Sequence, residues 1–400
     1  MSAPHRPRSI LLAALATLAA CAPEPRTAAW TDGVDTLPSG TIVLHNPARG
    51  LWDSASTWRL VEDLRIGSVA DDQASAFSRI AALAVDRTGR IYVLDRQAQD
   101  VRVFDSAGRH VRTSGRKGGG PGEFQRATGL AIDPAGDLWV VDPGSRRFSV
   151  FDTAGNLVGT HRRDVPDFGY AWSGGFAAGA LWDNWAVFPS GNPATRRTGF
   201  FRFAAVGYTD TLLLPPFSED LYELTRGGRP LSSWPVPFAT KELVALDERG
   251  FVWRAMSDGY RTTQLSLSGD TVRLVSREYR RLAVTKEDRE RALGPLRESM
   301  QQDGAEPDPS RIPQYRPALI GMLVDDRGYL WVLPVGEGGG SGLRLDVFDP
   351  EGRYLGKVPT PMKSWTVIPH PLIRGDFFYS VERDSLDVPY VVRLRIVGRG

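Results

Sequence analysis

Four cations recur at matched places in this chain, each close behind an aromatic residue and several positions ahead of an aspartate. Phe77 and Arg79 precede Asp86, Phe124 and Arg126 precede Asp133, Phe238 and Lys241 precede Asp247, and Tyr315 and Arg316 precede Asp325. Guanidinium and ammonium groups gathered around one narrow opening would focus a positive field and favour an anionic ligand or an acidic peptide. Two arrangements fit the pattern. Either the cations ring one mouth over packed aromatics, or the aromatics wedge between structural units and the cations are simply solvated. His370, between Pro369 and Pro371, is the histidine placed to face such a mouth, whereas His110 and His161 fall at outer positions.

Other chemistry finds little support. Arg116-Lys117-Gly118-Gly119-Gly120 is glycine-rich, but a phosphate-cradling loop needs a Gly-Lys-Ser/Thr end leading into a helix, and Pro121 follows here. Gly339-Gly340-Ser341-Gly342-Leu343 lacks the second glycine of a nucleophile elbow. No His-Glu-x-x-His zinc helix occurs, and no metal site is expected from these histidines. Cys21 is the single cysteine, which excludes an intramolecular disulfide framework.

The elements that must position the four cations are written in repeated phrases. Leu83 to Val93, Leu130 to Val140 and Met322 to Val332 each read as a strand, an Asp-x-x-Gly turn and a second strand; Val244 to Trp253 is a weaker copy. Asp bonds its own backbone two residues on, and Gly takes the positive φ of a tight turn. A second turn follows each strong copy, at Asp105 to Gly108, Asp152 to Gly155 and Asp349 to Gly352. One repeat therefore holds four antiparallel strands, a to d. The 47-residue spacing from Asp86 to Asp133 is the size of a propeller blade. The expected fold is all-β: a six-bladed β-propeller with blades at about 80–114, 128–161, 172–214, 242–276, 319–358 and 365–397. The last shows only three strands, around Thr366 to His370, Phe377 to Val381 and Tyr390 to Ile396. Trp58 to Gly67 is expected to supply its fourth and close the ring, leaving no open edge.

Gly118-Gly119-Gly120-Pro121-Gly122-Glu123-Phe124 stands ahead of Gly129-Leu130-Ala131-Ile132-Asp133; Trp139-Val140-Val141-Asp142 and Arg147-Phe148-Ser149-Val150-Phe151-Asp152 follow. This order resembles an NHL-type repeat, well in blades one, two and five and faintly in the others. The chain is also similar to the six-bladed propeller lipoproteins of several bacterial groups. The resemblance implies a fold and assigns no catalytic residue.

His5, Arg6 and Arg8 precede an apolar run from Ile10 to Leu18, and Leu18-Ala19-Ala20-Cys21 closes the segment. That reads as a secretory signal (1–21), too short to span a bilayer. Its end resembles the bacterial lipobox, which implies lipidation of Cys21; an ordinary signal with a chance cysteine is the alternative. Residues 22–40, rich in Pro, Ala and Thr, read as a flexible tether, and 41–400 as one propeller, expected to be a monomer. The implied location is that of an exported lipoprotein on the outer membrane or cell envelope, facing periplasm or surface. The 49 basic and 47 acidic residues nearly cancel, which argues against a nucleic-acid footprint.

Between blades four and five, about 277–317, Thr285-Lys286-Glu287-Asp288 resembles a capping box, and Glu287 to Gln302 has helix-forming composition interrupted at Gly294-Pro295. This excursion is either a lid or docking arm, or a solvated decoration. Two functional classes remain. One is a non-catalytic, membrane-tethered binding module for a protein, peptide, glycan or anionic small ligand, held at Arg79, Arg126, Lys241, Arg316 and His370. The other, by analogy with propeller lactonases, lyases and amidating enzymes, is a metal-dependent enzyme with Ca²⁺ or Zn²⁺ in the channel.

Overall fold

A computed structural model describes residues 33–399, apart from residues 54 and 367 and the segments 69–73, 166–171, 190–195, 227–228 and 337–342. The signal segment, Cys21 and the first part of the tether lie outside the described residues.

The chain opens with β1 (Val34–Thr36), β2 (Ile42–Asn46) and β3 (Arg59–Ile66). Blade one follows as β4 (Ile80–Val85), β5 (Ile91–Asp95), β6 (Asp100–Phe104) and β7 (His110–Ser114). Blade two is β8 (Gly129–Ile132), β9 (Leu138–Asp142), β10 (Arg147–Phe151) and β11 (Leu157–Arg162). Blade three is β12 (Gly175–Ala177), β13 (Ala180–Val187), β14 (Arg197–Ala204) and β15 (Gly207–Leu213). A separate hairpin, β16 (Leu221–Arg226) with β17 (Arg229–Pro235), precedes blade four, which is β18 (Glu242–Asp247), β19 (Phe251–Met256), β20 (Arg261–Ser266) and β21 (Thr271–Arg277). After helix α1 (Lys286–Gln301) come blade five, β22 (Leu319–Val324), β23 (Leu330–Pro334), β24 (Arg344–Phe348) and β25 (Tyr354–Pro359), and the strands β26 (Leu372–Arg374), β27 (Phe377–Arg383) and β28 (Pro389–Val397). β3 pairs antiparallel with β28, from Val391 against Ile66 to Val397 against Arg59, so the sixth blade is closed by the N-terminal strand as expected.

The repeated phrase has a direct physical cause. Asp86 Oδ1 accepts from the Thr88 and Arg90 amides while its Oδ2 accepts from the Tyr92 hydroxyl. In blade two, Asp133 Oδ2 accepts from Trp139 Nε1 at 3.2 Å, and in blade five Asp325 Oδ2 accepts from Trp331 Nε1 at 3.0 Å. One carboxylate oxygen shapes the turn and the other pins the aromatic of the next strand. Gly89, Gly136 and Gly328 take φ of 82°, 98° and 86°, which only glycine adopts at little cost. These turns occupy one face of the ring, the turn face; the links between blades cross the opposite, connection face.

Four features differ from the sequence expectation. Blade four holds six strands, because β2 runs parallel to β21 and β1 pairs with β2, so the end of the segment read as a tether is a strand. Buried Asn46 fixes that addition: its amide donates to Ser276 and Gly352 carbonyls, and its Oδ1 accepts from the Tyr354 amide. The chain then crosses blade five, where the Leu51 and Trp52 amides donate to Tyr354 and Leu355 carbonyls. The N-terminal segment is thus a strap over the outer edges of blades four, five and six. Next, the inner strand of blade six begins at Leu372 rather than near Thr366, since Pro369 and Pro371 have no N–H to give a ladder. The β16–β17 hairpin was not foreseen. Finally, α1 runs unbroken through Pro295. Pro295 and Arg291 both lie on its exposed side, so the carbonyl left without a partner faces water.

The hairpin and α1 rest on each other. Tyr222, Val236, Ala239 and Met300 are buried together, with Trp234 and Leu296 against them. Tyr222 donates to the Asp308 carbonyl at 2.6 Å and Trp234 Nε1 to Ser299 Oγ at 3.1 Å. Both connections therefore form one raised structure on the connection face, beside blade four.

Candidate functional site

Buried carboxylates at the ends of the second strands set where the inner strands begin. Asp95 accepts from the Ser78 amide at 2.7 Å, and Asp142 accepts from the Gln125 and Arg126 amides at 2.9 Å each. In blade four a serine replaces the aspartate: the Lys241 amide donates to Ser257 Oγ, and the Ser257 amide donates back to the Lys241 carbonyl. The residue types differ, yet each inner strand is tied to its neighbour at the connection face.

Two continuous cavities follow. An axial well of about 270 Å³ is lined by all six inner strands, with side chains such as Ala82, Ala131, Phe176, Leu246, Val324 and Leu372. It opens at the connection face into a vestibule of about 440 Å³ over blades three and four. Trp172, Ser173, Val244, Met322 and His370 line both and form the neck between them. The vestibule carries three tryptophans, Trp172, Trp185 and Trp365, together with Asn184, Arg196, Thr198, Glu219, Lys241 and Glu242.

Blade three builds the largest share of this wall. Arg163 binds Asp183 bidentately, Nε to Oδ2 at 2.8 Å and Nη2 to Oδ1 at 2.9 Å, with both side chains at most 5% exposed. Trp172 Nε1 and the Tyr208 hydroxyl complete the carboxylate's coordination at 2.7 and 2.6 Å. Burial, with Asp183 beside it, raises the Tyr208 pKa, so it stays a donor. Asn184 caps the arrangement by accepting from the Ser173 amide and donating to its hydroxyl. Trp185 stacks on Phe201 with centroids 3.4 Å apart. Across the cleft, Glu242 accepts from Thr198 and Arg254, both at 2.7 Å, and joins blade three to blade four. The charges of these pairs cancel. Lys241 is exposed and forms no ion pair among the described residues, so its ammonium stays available to a ligand.

Of the residues singled out in the sequence, Lys241 and His370 line this vestibule. Arg79 and Arg126 are exposed just ahead of β4 and β8, outside its lining. Arg316 reaches Asp288 with Nε at 3.1 Å and Nη2 at 2.5 Å, and so fastens the start of α1 to the chain entering blade five. The Thr285 amide and Arg316 hold Asp288 below the ordinary carboxylate range. Of the accompanying aromatics, Phe77 and Phe124 are buried between blades, and Tyr315 is exposed under Arg281. His370 keeps accessible surface because it faces the lumen, but the surrounding ring withdraws bulk water and pushes its pKa down. Sequence reasoning passed over Trp172, Asp183, Asn184 and Trp185. The signal was there: Trp182-Asp183-Asn184-Trp185 breaks the repeat's Trp-Val-Val-Asp ending.

Among the described residues, no three His, Cys, Asp or Glu side chains come together to hold a metal ion. Nor is any helix among them long and apolar enough to cross a membrane.

This ring defines a six-bladed β-propeller with a cavity at its axial mouth. A family described as 6-bladed beta-propeller matches residues 74–170, the stretch of blades one and two. No curated protein sequence matches this chain. Among solved structures, a protein from Bacteroides fragilis described as exported is similar at 11% identity and TM-score 0.48, over 88% of this chain and 99% of its own. A streptogramin B lyase is similar at 12% identity and TM-score 0.42, covering 86% and 100%. A gluconolactonase from Xanthomonas campestris follows at 15% identity and TM-score 0.41, covering 84% and 97%. Likeness at this level transfers no activity.

Proposed function

We propose that this protein is a membrane-tethered, NHL-like propeller that acts as a non-catalytic binding module, taking an anionic ligand, an acidic peptide or the acidic part of a protein in its vestibule. The observation that carries the reading is the vestibule itself. It sets the ammonium of Lys241, which has no ion pair among the described residues, among tryptophan faces and polar side chains such as the paired Glu242. Mostly apolar concavities with a few convergent polar groups are the usual form of ligand sites. Arg79 and Arg126 belong to the same reading as exposed cations on the connection face, steering an anion toward the mouth. The tether rests on the lipobox-like Leu18-Ala19-Ala20-Cys21 and places the protein in the cell envelope, facing periplasm or surface.

An ion-dependent enzyme would need carboxylates or imidazoles converging in the channel. The titratable side chains lining the well are instead separated: Glu248 and Asp326 lie at the turn face with Arg374, and His370 lies at the opposite neck. Their placement favours binding over metal-assisted chemistry.

The test uses hexaglutamate as the probe and the fluorescence of the vestibule tryptophans as readout. Saturable quenching that weakens with salt and is reduced in Lys241→Gln supports the reading. A salt-independent response, or one equal in Lys241→Gln, refutes the anionic site.

A further inference from the structure

The axial well has two ends, and they are not alike. Toward the connection face it widens into the vestibule past Trp172 and His370. At the turn face, three residues just beyond inner strands or at their ends come together. Arg374, the last residue of β26 in blade six, donates Nη1 and Nη2 to the two carboxylate oxygens of Glu248 in blade four, at 2.9 and 2.6 Å. Blade five stands between those two blades, so this guanidinium reaches over its inner end and across part of the lumen. Asp326 of blade five sits beneath the reach: its Oδ2 is 4.0 Å from Arg374 and accepts from the Gly375 amide at 3.0 Å. Arg327 and Asp376 pair at 3.0 Å on the same face and brace blades five and six beside the bar. A bidentate fork holds direction as well as charge, which suits a bar better than a single contact would.

The walls add a second constraint. Every inner strand pairs on one side only, β4 with β5, β8 with β9, β12 with β13, β18 with β19, β22 with β23 and β26 with β27. Their free edges turn backbone N–H and C=O groups toward the lumen between small and aliphatic side chains. Such a wall satisfies hydroxyl and amide groups; of the charges beside it, Arg374 is already paired with Glu248, and Asp326 lies 4.0 Å from Arg374.

We propose that Arg374 and Glu248 close the floor of the axial channel, making it a blind well that fills only through the vestibule and takes the compact, neutral, hydroxyl- or amide-bearing end of a small ligand. The inference rests on the proposed binding role for the direction of filling. It excludes a chain threaded through the ring. Charge on the ligand is read at Lys241, and length is limited by the Arg374 bar.

The experiment measures closure without a ligand, so it stands apart from the binding test. In the full-length chain carrying Cys21→Ser, a single thiol is introduced as Val324→Cys near the floor or as Ser173→Cys at the neck. Its reaction with small, charged thiol reagents is timed. Thiol reactivity follows access, so opening the floor should raise the rate at position 324 by about tenfold or more and leave position 173 unchanged. Arg374→Ala should do this, and Glu248→Gln should do it too, because Arg374 then loses its partner across the lumen while the fold around Asp326 is kept. Thermal melting of each variant separates a local opening from general loosening, which would speed both positions. If position 324 reacts as fast in the parent as in both variants, the floor is open and the proposal fails. It also fails if neither variant changes the rate.

Discussion

The turn face and the connection face of this ring are built by opposite means. On the turn face one aspartate organises the inner hairpin of blades one, two and five: Asp86, Asp133 and Asp325 each hold two backbone amides and one aromatic side chain. On the connection face every link differs. Blade two to three is anchored by the Arg163–Asp183 pair, blade three to four carries a hairpin, and blade four to five carries α1. The repeated face is stiff and interchangeable, and the varied face carries the cavity. This division follows from the strands: their pleat and spacing fix the ring, and only the links can change without breaking it.

The largest expected effect removes what both faces share, ring closure. Deleting residues up to Gly67 takes away β3 and leaves β28 with an unpaired edge, so we expect aggregation or loss of cooperative unfolding by calorimetry. Deleting only as far as Asn46 removes β1 and β2 but keeps β3, and should give a folded ring with a lower melting temperature. If both deletions melt like the parent, the strap holds nothing.

Next in size is the contrast between buried carboxylates of the two faces. Asp183→Ala leaves Arg163 charged, buried and unpaired, which should cost about 3–5 kcal/mol in denaturant unfolding. Asp133→Ala removes a turn aspartate that is partly exposed, and should cost only about 1–2 kcal/mol. Equal losses would show that the connection face is no more dependent on its special pairs than the turn face is on its repeats.

Cys21→Ser should move the protein from the membrane fraction to the soluble one, because each buried lipid CH₂ contributes about 0.8 kcal/mol to anchoring. Lys241→Gln should weaken hexaglutamate binding without lowering the melting temperature, since an exposed unpaired charge adds little to stability. Arg126→Gln, outside the vestibule, should weaken it less.

The smallest effect concerns acid. His370 has its pKa pushed below the ordinary imidazole value by burial, so the unfolded chain takes up a proton there before the folded one does. Stability from this group is therefore present above about pH 6.5 and declines as pH falls below it, through the lower folded-state value. His370→Asn should flatten that part of the stability profile. An unchanged slope would place His370 in bulk water rather than at the neck.

The ring was legible in the sequence because its causes are local. Asp and Gly at fixed offsets force hairpins, Trp139 and Trp331 follow at the distance a turn carboxylate can reach, and the 47-residue spacing sets the blade. The closing strand was legible too, by counting back from Asp86. The capping box at Thr285 and Asp288 was read correctly, again from neighbours in sequence. What failed had long-range causes. β1 and β2 are unremarkable alone and become strands because β21 offers an edge and Asn46 finds carbonyls 230 and 306 residues away. Pro295 reads as a helix break until packing at Leu293 and Met300 holds the helix across it.

The candidate site divides in the same way. Sequence alone put Arg79, Arg126, Lys241 and Arg316 at similar offsets, seven, seven, six and nine residues ahead of an aspartate. Tertiary structure decided what each does there. Arg316 meets Asp288 across the insertion, whereas Lys241 meets no acid among the described residues and borders a cavity whose tryptophans come from stretches where the repeat is faint. Backbone position follows from local hydrogen bonding, which a sequence motif encodes. The charge left free at that position depends on which distant side chains fold against it, and no offset along the chain records that.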